Sequence, residues 1–340
     1  MESLSIKQVL LSQSDKVRGV TLTCATGVVT VCGALLVYSN RLKFMWEPRS
    51  MVVALGLATG GVLSFTLMDL LPAAQVSLEV MIKAIDPVAQ TRNATASSAH
   101  EKRSLQSAYA SMILAGAFAL GVIMVWIMDT LSMYCSLPTK VIQQSPREQT
   151  RATIRHTTRT TSPSPLQTSN VLMTQNQGWL SKELLYKTGV AKVASFATIN
   201  LPSGLVMCIA VVQRRTLGIL FACAMSLLNV AQGIALSGVI VQASGMRWRA
   251  VLWCVLAALA LPLGGFLAWG LLLNTRLNAL VVGVMYSITA GLLVGTSLTQ
   301  ILTVCYNYKS SENSVVTTSI FGGIIFIAVV RCCLAFLYNK

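Results

Sequence analysis

Two short polar stretches interrupt the most apolar half of the chain. The first is Asn200-Leu201-Pro202-Ser203-Gly204, and the second is Asn229-Val230-Ala231-Gln232-Gly233. A side-chain amide inside a membrane-spanning run is costly unless it finds hydrogen-bonding partners, so each stretch is a candidate functional site. Pro and Gly inside a span also free backbone carbonyls from the helical hydrogen-bond ladder. The available chemistry is that of neutral amide, hydroxyl and carbonyl oxygens.

Charged metal ligands are missing around these amides. From Leu184 to Ser311 the sequence contains no Asp, no Glu and no His. A desolvated Zn²⁺ needs thiolates, imidazoles or carboxylates to replace its hydration shell and balance its charge. We therefore expect no tight zinc site in this part of the chain. The nine cysteines form no Cys-x-x-Cys pair, and we interpret them as small buried hydrophobes.

The composition is that of an integral, multi-pass membrane protein. Hydrophobic residues make up 54% of the 340 residues and charged residues 11%, against about 25% charged in soluble domains. The net charge of +15 indicates loops that face anionic lipid headgroups of the bilayer. No basic run alternates with aromatics, so we exclude nucleic-acid binding. We expect neither an enzyme nor a resident cofactor. The residues do not distinguish the plasma membrane from an endomembrane.

Apolar runs long enough to cross a bilayer, about 20 residues each, recur along the whole chain. The first run is too long for the apolar core of a signal peptide, so we interpret it as a span. The sequence predicts an all-α protein with eight spans, at 17–38, 51–72, 107–135, 188–213, 216–242, 250–273, 278–305 and 315–338.

A polar loop divides these spans into two groups. Residues 1–137 hold spans 1 to 3, and residues 188–340 hold spans 4 to 8. The basic, Ser/Thr/Pro-rich segment 138–187 lacks the apolar residues needed to order itself, which favours a disordered tether. Because Ser162 and Ser164 each precede a proline, a phosphorylatable regulatory segment is the alternative.

The distribution of basic residues weakly predicts the orientation. The loop at 138–187 is rich in Lys and Arg, which places it in the cytosol and both termini on the opposite side. The sequon Asn93-Ala94-Thr95 then lies on the non-cytosolic side, where it is either used for glycosylation or a chance match.

Acidic residues and paired small residues occur inside the predicted spans. Asp69 and Asp129 are either interfacial groups near helix ends or functional residues. Gly56 with Gly60 in span 2 and Gly233 with Ser237 in span 5 have the spacing that lets helices pack closely, and we interpret both pairs as packing features.

Several motifs, in order along the spans, resemble the ZIP family of zinc and iron transporters. Span 2 contains a small-residue run that ends in Met68-Asp69-Leu70-Leu71-Pro72, and span 3 ends in Met128-Asp129-Thr130-Leu131, where the family often has Asp-Arg-Leu. Span 6 contains Leu261-Pro262-Leu263-Gly264 in place of Glu-Pro-Leu-Gly, and span 7 contains Ser297-Leu298-Thr299-Gln300 in place of Ser-Leu-Asp-Glu. The resemblance implies a bundle in which spans 1–3 and 6–8 are inverted repeats around spans 4 and 5.

The two polar stretches resemble degenerate copies of the family's His-Asn-x-Pro-Glu-Gly signature. Asn200 and Asn229 match it, and these two residues with Ser203 and Gln232 are our candidate metal-site positions. The resemblance also implies that ligands of the family have been replaced. Its His residues become Ile199 and Leu228, its Glu residues become Ser203 and Gln232, and the Glu of its sixth helix becomes Leu261.

Three functions remain open. The resemblance implies a ZIP-like transporter of a divalent metal, zinc or iron, with a depleted metal site. The missing ligands favour a transport-inactive homologue that acts as a partner or regulator of an active transporter, in a homo- or hetero-oligomer. Transport of an uncharged or organic solute is the third. For the central amides, the alternative to a solute pathway is packing, with hydrogen bonds across the contact between spans 4 and 5.

Overall fold

A computed structural model describes residues 2–36, 48–85, 96–136, 166–274, 278–302 and 313–338. Within these ranges the backbone is almost entirely helical. Two helices contain a π-helical segment, a local widening of the helix by one residue per turn. The helices are Glu2–Leu35, Pro48–Phe65 continued by the π-helical Thr66–Leu70 and by Leu71–Ile85, Ala96–Ser136, Leu166–Gln213, Arg215–Ser244, Arg247–Asn274, Ala279–Thr296 continued by the π-helical Ser297–Leu302, and Asn313–Tyr338.

Eight of these helical stretches are long and apolar enough to cross a membrane, which confirms the expected all-α fold. Their bounds agree with the predicted spans to within a few residues, except that span 2 continues well beyond the predicted end at Pro72. Pro72 lies near the start of a helix that follows the π-helical segment, so it does not end the span. Spans 1 to 8 are Ser14–Leu35, Arg49–Ile82, Leu105–Ser132, Tyr186–Gln213, Arg215–Ser244, Arg247–Leu273, Ala279–Thr299 and Ser314–Leu337.

The helix that contains span 4 begins at Leu166, inside the segment that we assigned to a loop. Residues 166–187 are thus helical, whereas residues 138–165 lie outside the described residues, together with Ser162 and Ser164. The sequon at Asn93 also lies outside them. The disorder of the loop, its cytosolic side and the use of the sequon stay predictions.

The spans pack as two groups of four. Spans 1, 4, 5 and 6 contact one another and form bundle A, whereas spans 2, 3, 7 and 8 form bundle B, mainly through contacts of span 2 with span 8 and of span 3 with span 7. The bundles meet where span 2 contacts span 5, span 4 contacts spans 3 and 7, and span 8 contacts span 5. Exchanging spans 1–3 with 6–8 and span 4 with span 5 reproduces this pattern, as expected for an inverted repeat.

Reciprocal glycines mark the closest helix contacts. A Cβ atom on Gly204 would lie 2.0 Å from the carbonyl oxygen of Leu261, and one on Gly264 would lie 2.0 Å from that of Leu201. Small residues of this kind allow two helix backbones to touch. The same reciprocal arrangement recurs between spans 1 and 5, 2 and 8, and 3 and 7, through the pairs Gly33 and Gly233, Gly60 and Gly323, and Gly121 and Gly291.

Gly60 and Gly233 thus confirm the packing interpretation of the two small-residue pairs. Gly56 supports it as well, since its added Cβ would lie 2.7 Å from the Cβ of Ser319 in span 8. The four close contacts all lie within bundle A or within bundle B. Between the bundles, the rings of Phe65 in span 2 and Phe221 in span 5 stack with centroids 4.9 Å apart.

Candidate functional site

The two central asparagines are buried in bundle A and bond to different neighbours. Asn200 is 2% exposed, and its Nδ2 donates to the carbonyl oxygen of Ala257 in span 6 at 3.4 Å. Asn229 is fully buried, and its Nδ2 donates to the carbonyl oxygen of Thr26 in span 1 at 3.3 Å. These bonds are equivalents under the inverted repeat. Spans 4 and 5 do pack together. The side-chain nitrogens of Asn200 and Asn229, however, donate to spans 6 and 1 and not across the contact between spans 4 and 5.

Three buried side-chain oxygens on spans 1 and 5 have no hydrogen-bond partner. They are Asn229 Oδ1, Gln232 Oε1 and Thr30 Oγ1, which we call the oxygen cluster because they belong to these two adjoining helices. Asn229 and Gln232 share a face of span 5 because they are three residues apart. Thr30 belongs to the same contact, since its carbonyl oxygen would lie 2.5 Å from a Cβ on Gly233.

An unpaired buried acceptor is unfavourable by roughly 1–3 kcal/mol, so the oxygen cluster favours a guest that supplies hydrogens or positive charge. Water, a polar solute and a weakly held cation all satisfy that requirement. Four spans of the chain, from Tyr186 to Thr299, bring no acid to the cluster. A cation there would interact with oxygen dipoles alone, which predicts weak binding.

The remaining positions of the predicted site provide no unpaired side-chain oxygen for a ligand. Ser203 is fully buried, and its hydroxyl donates to the carbonyl oxygen of Ile199 in its own helix at 2.9 Å. Ile199, Leu228 and Leu261 are buried apolar side chains, at most 4% exposed. Among the residues that the structure describes, no three His, Cys, Asp or Glu side chains come together as a metal site.

Two further hydroxyls without partners, which the sequence analysis did not single out, lie in bundle B. Thr66 Oγ1 begins the π-helical segment of span 2, and Ser297 Oγ begins that of span 7, its equivalent in the inverted repeat. Both side chains are fully buried. π-Helical turns are frequent at functional sites because they leave backbone groups with altered pairing. The sequence signal for these two residues was a hydroxyl side chain inside an otherwise apolar run.

Both intramembrane acids are paired with a basic residue of another span. Arg331 in span 8 donates to Asp69 in the π-helical segment at 2.5 Å. Lys192 in span 4 donates to Asp129 in span 3. The sequence analysis left open whether both acids are interfacial groups or functional residues, and it did not identify these partners. The sequence carried a partial signal, since the predicted spans contain three basic residues, Arg18, Lys192 and Arg331, as candidate partners.

Polar contacts join bundle A to bundle B near both ends of span 4. Near its start, the Lys192–Asp129 pair links spans 4 and 3, and the hydroxyl of Ser132 in span 3 donates to a backbone carbonyl oxygen of span 4 at 3.5 Å. At its other end, the hydroxyl of Tyr286 in span 7 donates to Gln213 Oε1 at 2.9 Å. Bundle A holds the oxygen cluster, so these contacts fix its position relative to bundle B at both membrane faces.

Comparisons with known proteins agree with this architecture. A family model described as "ZIP Zinc transporter" matches residues 16–331. The zinc transporter ZupT of Corynebacterium aurimucosum is 24% identical over 282 residues, which cover 83% of this chain and 84% of that protein. The zinc transporter ZupT of Clostridium perfringens is 27% identical over 150 residues, which cover 44% of this chain and 52% of that protein.

Proposed function

This chain belongs to the ZIP zinc transporter family, and from that premise we propose that it transports a divalent metal ion, zinc or iron, through a depleted metal site. The match covers nearly all of the chain, including spans 2 to 7 entirely and most of spans 1 and 8. The ZupT relatives are named for zinc. The oxygen cluster is the observation that carries the proposal, because two of its three residues, Asn229 and Gln232, occupy site positions of the family.

Neutral oxygens limit the affinity of such a site without forbidding passage. Transport requires that an ion bind well enough to enter and weakly enough to leave. A cation that keeps part of its hydration shell could donate water hydrogens to Asn229 Oδ1 and Gln232 Oε1, which have no partner. The site therefore suits a partly hydrated ion at high concentration better than a trace ion that must be captured.

A specific observation supports the alternative, a transport-inactive homologue that acts as a partner or regulator. Ile199, Leu228 and Leu261 place buried apolar side chains where the family has His, His and Glu. Apolar groups at three ligand positions offer a cation nothing and stabilise the fold by burial. Such a chain would keep the bundle and the surfaces through which it contacts an active transporter.

Uptake of radioactive zinc and of radioactive iron, in cells that lack their own importers, separates the two functions. Under the proposal, the native chain raises uptake of one metal above the empty-vector level. Gln232→Ala then lowers the uptake because it removes an oxygen of the cluster. The matched control is Gln242→Ala, which makes the same change at an exposed position of the same helix.

Uptake at the empty-vector level, from native protein that reaches the membrane, would reject transport of these metals. The regulatory alternative then predicts that the chain changes the uptake by a co-expressed active ZIP transporter. Equal losses in Gln232→Ala and Gln242→Ala would show that the oxygen cluster is not on the ion path.

A further inference from the structure

A lateral pocket of about 560 Å³ opens between spans 3, 4 and 6. Its wall is mostly apolar, and none of the residues that line it is acidic. It lies at the end of the bundle where span 4 begins and span 3 ends, near the predicted cytosolic face. The lining residues are Met128, Leu131, Ser132, Tyr186, Lys187, Val190, Ala191, Ala194, Ser195 and Trp253.

The rim of the pocket is basic. Lys187 lines it, and Arg249 lies one helical turn before the lining residue Trp253, on the same face of span 6. The helix of span 6 begins at Arg247, so its positive N-terminal dipole lies at the same edge. Among the described side chains, this edge carries four basic residues against one acid: Lys187, Lys192, Arg247 and Arg249 against Asp129.

Aromatic side chains place the rim at the level of the lipid headgroups. Trp253 Nε1 donates to the hydroxyl of Tyr186 at 3.1 Å, so two amphipathic rings meet at the pocket. Trp248 is 57% exposed, and the guanidinium of Arg249 lies 5.6 Å from its ring centroid. Trp and Tyr concentrate at membrane–water interfaces, where one end of the ring is apolar and the other is hydrated.

A second pocket, of about 550 Å³, provides an internal comparison. It lies between spans 1, 2, 5 and 8, which are the inverted-repeat equivalents of spans 6, 7, 4 and 3. Arg18 and Arg215 lie one helical turn from its lining residues Leu22 and Ile219, but both pair with Asp15, at 3.2 and 2.9 Å. The two pockets are alike in size and in their apolar walls, and an acidic residue pairs with both arginines at the rim of the second one.

We propose that the pocket between spans 3, 4 and 6 binds an anionic phospholipid. One acyl chain lies along the apolar wall at Val190 and Ala194, and the phosphate lies between Lys187 and Arg249. Basic pockets between spans on the cytoplasmic side suit anionic headgroups, because that leaflet carries the anionic lipids. A zwitterionic lipid fills the same apolar volume but carries no net charge to match the rim.

Native mass spectrometry of the purified full chain tests this proposal. Phosphatidylserine and phosphatidylcholine with identical acyl chains are offered in equal amounts, and the retained lipids are counted. We expect the native protein to prefer phosphatidylserine. Lys187→Gln with Arg249→Gln should reduce that preference about thirtyfold, from the typical contribution of two basic residues near an anionic surface. Arg249→Lys should keep the preference, because the charge is kept.

Two control variants distinguish lipid binding in the pocket from a general attraction of anionic lipids to the positive charge of the protein. Arg18→Gln with Arg214→Gln removes the same charge at the opposite membrane face, where both residues are exposed, and should leave the preference unchanged. Ala194→Phe fills the groove and should lower retention of both lipids, whereas Ala119→Phe, at an exposed position of span 3 outside the pocket, should not.

Equal retention of the two lipids by the native protein would overturn the proposal. It would also be overturned if Arg18→Gln with Arg214→Gln reduced the preference as much as the pocket variant, since the effect would then follow net charge. Normal retention in Ala194→Phe would show that no acyl chain lies in the groove.

Discussion

At the scale of single residues, the polar side chains at the centre of the molecule are uncharged, and only some of their atoms have a hydrogen-bond partner. Asn200 and Asn229 occupy equivalent positions of the inverted repeat, and each amide nitrogen bonds to a backbone carbonyl of another span. Among the described residues of bundle A, the buried side-chain oxygens without a partner belong to Asn229 and Gln232 of span 5 and to Thr30 of span 1. The two asparagines therefore pack alike, and the oxygen cluster is a feature of one half of the repeat.

The hydrogen-bond partners predict how the asparagines contribute to stability. Asn200→Ala and Asn229→Ala should each lower the free energy of unfolding by about 0.6 kcal/mol and at most about 1.7 kcal/mol, the range for interhelical hydrogen bonds in membranes. Because the partners lie on different spans, the double variant should show the sum of the two effects. Unfolding in mixed micelles with increasing denaturant measures it, and the exposed Gln242→Ala is the control. A coupling above about 0.5 kcal/mol would contradict the separate partners.

Restoring carboxylates tests whether the positions of the family still surround one cavity. Ser203→Glu with Gln232→Glu supplies two negative charges, and Ile199→His with Leu228→His adds two imidazoles. We expect the double variant to bind zinc more tightly than the native chain, and the fourfold variant to bind it more tightly still. The affinity should fall below neutral pH, because protons compete for these ligands.

Calorimetry on folded, purified protein measures that affinity. Gln242→Glu, which adds a carboxylate at an exposed position of span 5, is the control and should not change it. A fourfold variant that folds, reaches the membrane and binds no zinc would show that the four positions do not converge.

At the scale of helices, one ion pair and two hydrogen bonds among the described residues link span 4 to bundle B. The Lys192–Asp129 pair has half-buried partners, 34% and 31% exposed, so water screens part of its attraction. Asp129→Asn or Lys192→Gln should therefore lower the unfolding free energy by about 1 kcal/mol. The swap Asp129→Lys with Lys192→Asp should recover most of the loss. A swap as unstable as the sum of its single changes would mean that the pair contributes nothing.

The reciprocal glycines make a stronger prediction at the same scale. Gly264→Ala should destabilise the protein by about 1–3 kcal/mol, because its Cβ would lie 2.0 Å from the backbone oxygen of Leu201. Gly270→Ala, two turns later in the same helix, meets nothing within 4 Å and should be neutral or slightly stabilising. Thermal unfolding in detergent compares the two, and equal midpoints would refute the close contact of spans 4 and 6.

At the scale of the whole molecule, hydropathy predicted the fold because each span must satisfy its own backbone in lipid. It could not predict which helix each side chain meets. The partners Asp69 with Arg331 and Asp129 with Lys192 are 262 and 63 residues apart, and no local pattern links them. The carbonyl acceptors of Asn200 and Asn229 were equally hidden, since every residue has a carbonyl. The π-helical segments depend on packing in the same way.

The last prediction concerns the orientation of the whole bundle. The structure places Met246, between spans 5 and 6, and Asn278, before span 7, at opposite membrane faces, and both are exposed. If the long loop is cytosolic, Met246 is cytosolic and Asn278 is not. In intact cells with the protein at their surface, a membrane-impermeant maleimide should label Asn278→Cys and should label Met246→Cys only after permeabilisation. Sealed organelles should show the reverse. The background for both variants replaces the exposed Cys32, Cys332 and Cys333, together with Cys135 and Cys305, with alanine. The opposite labelling pattern would show that the protein has the inverted orientation in the membrane. The basic pocket would then face the leaflet that is poor in anionic lipids, and the sequon at Asn93 would lie in the cytosol.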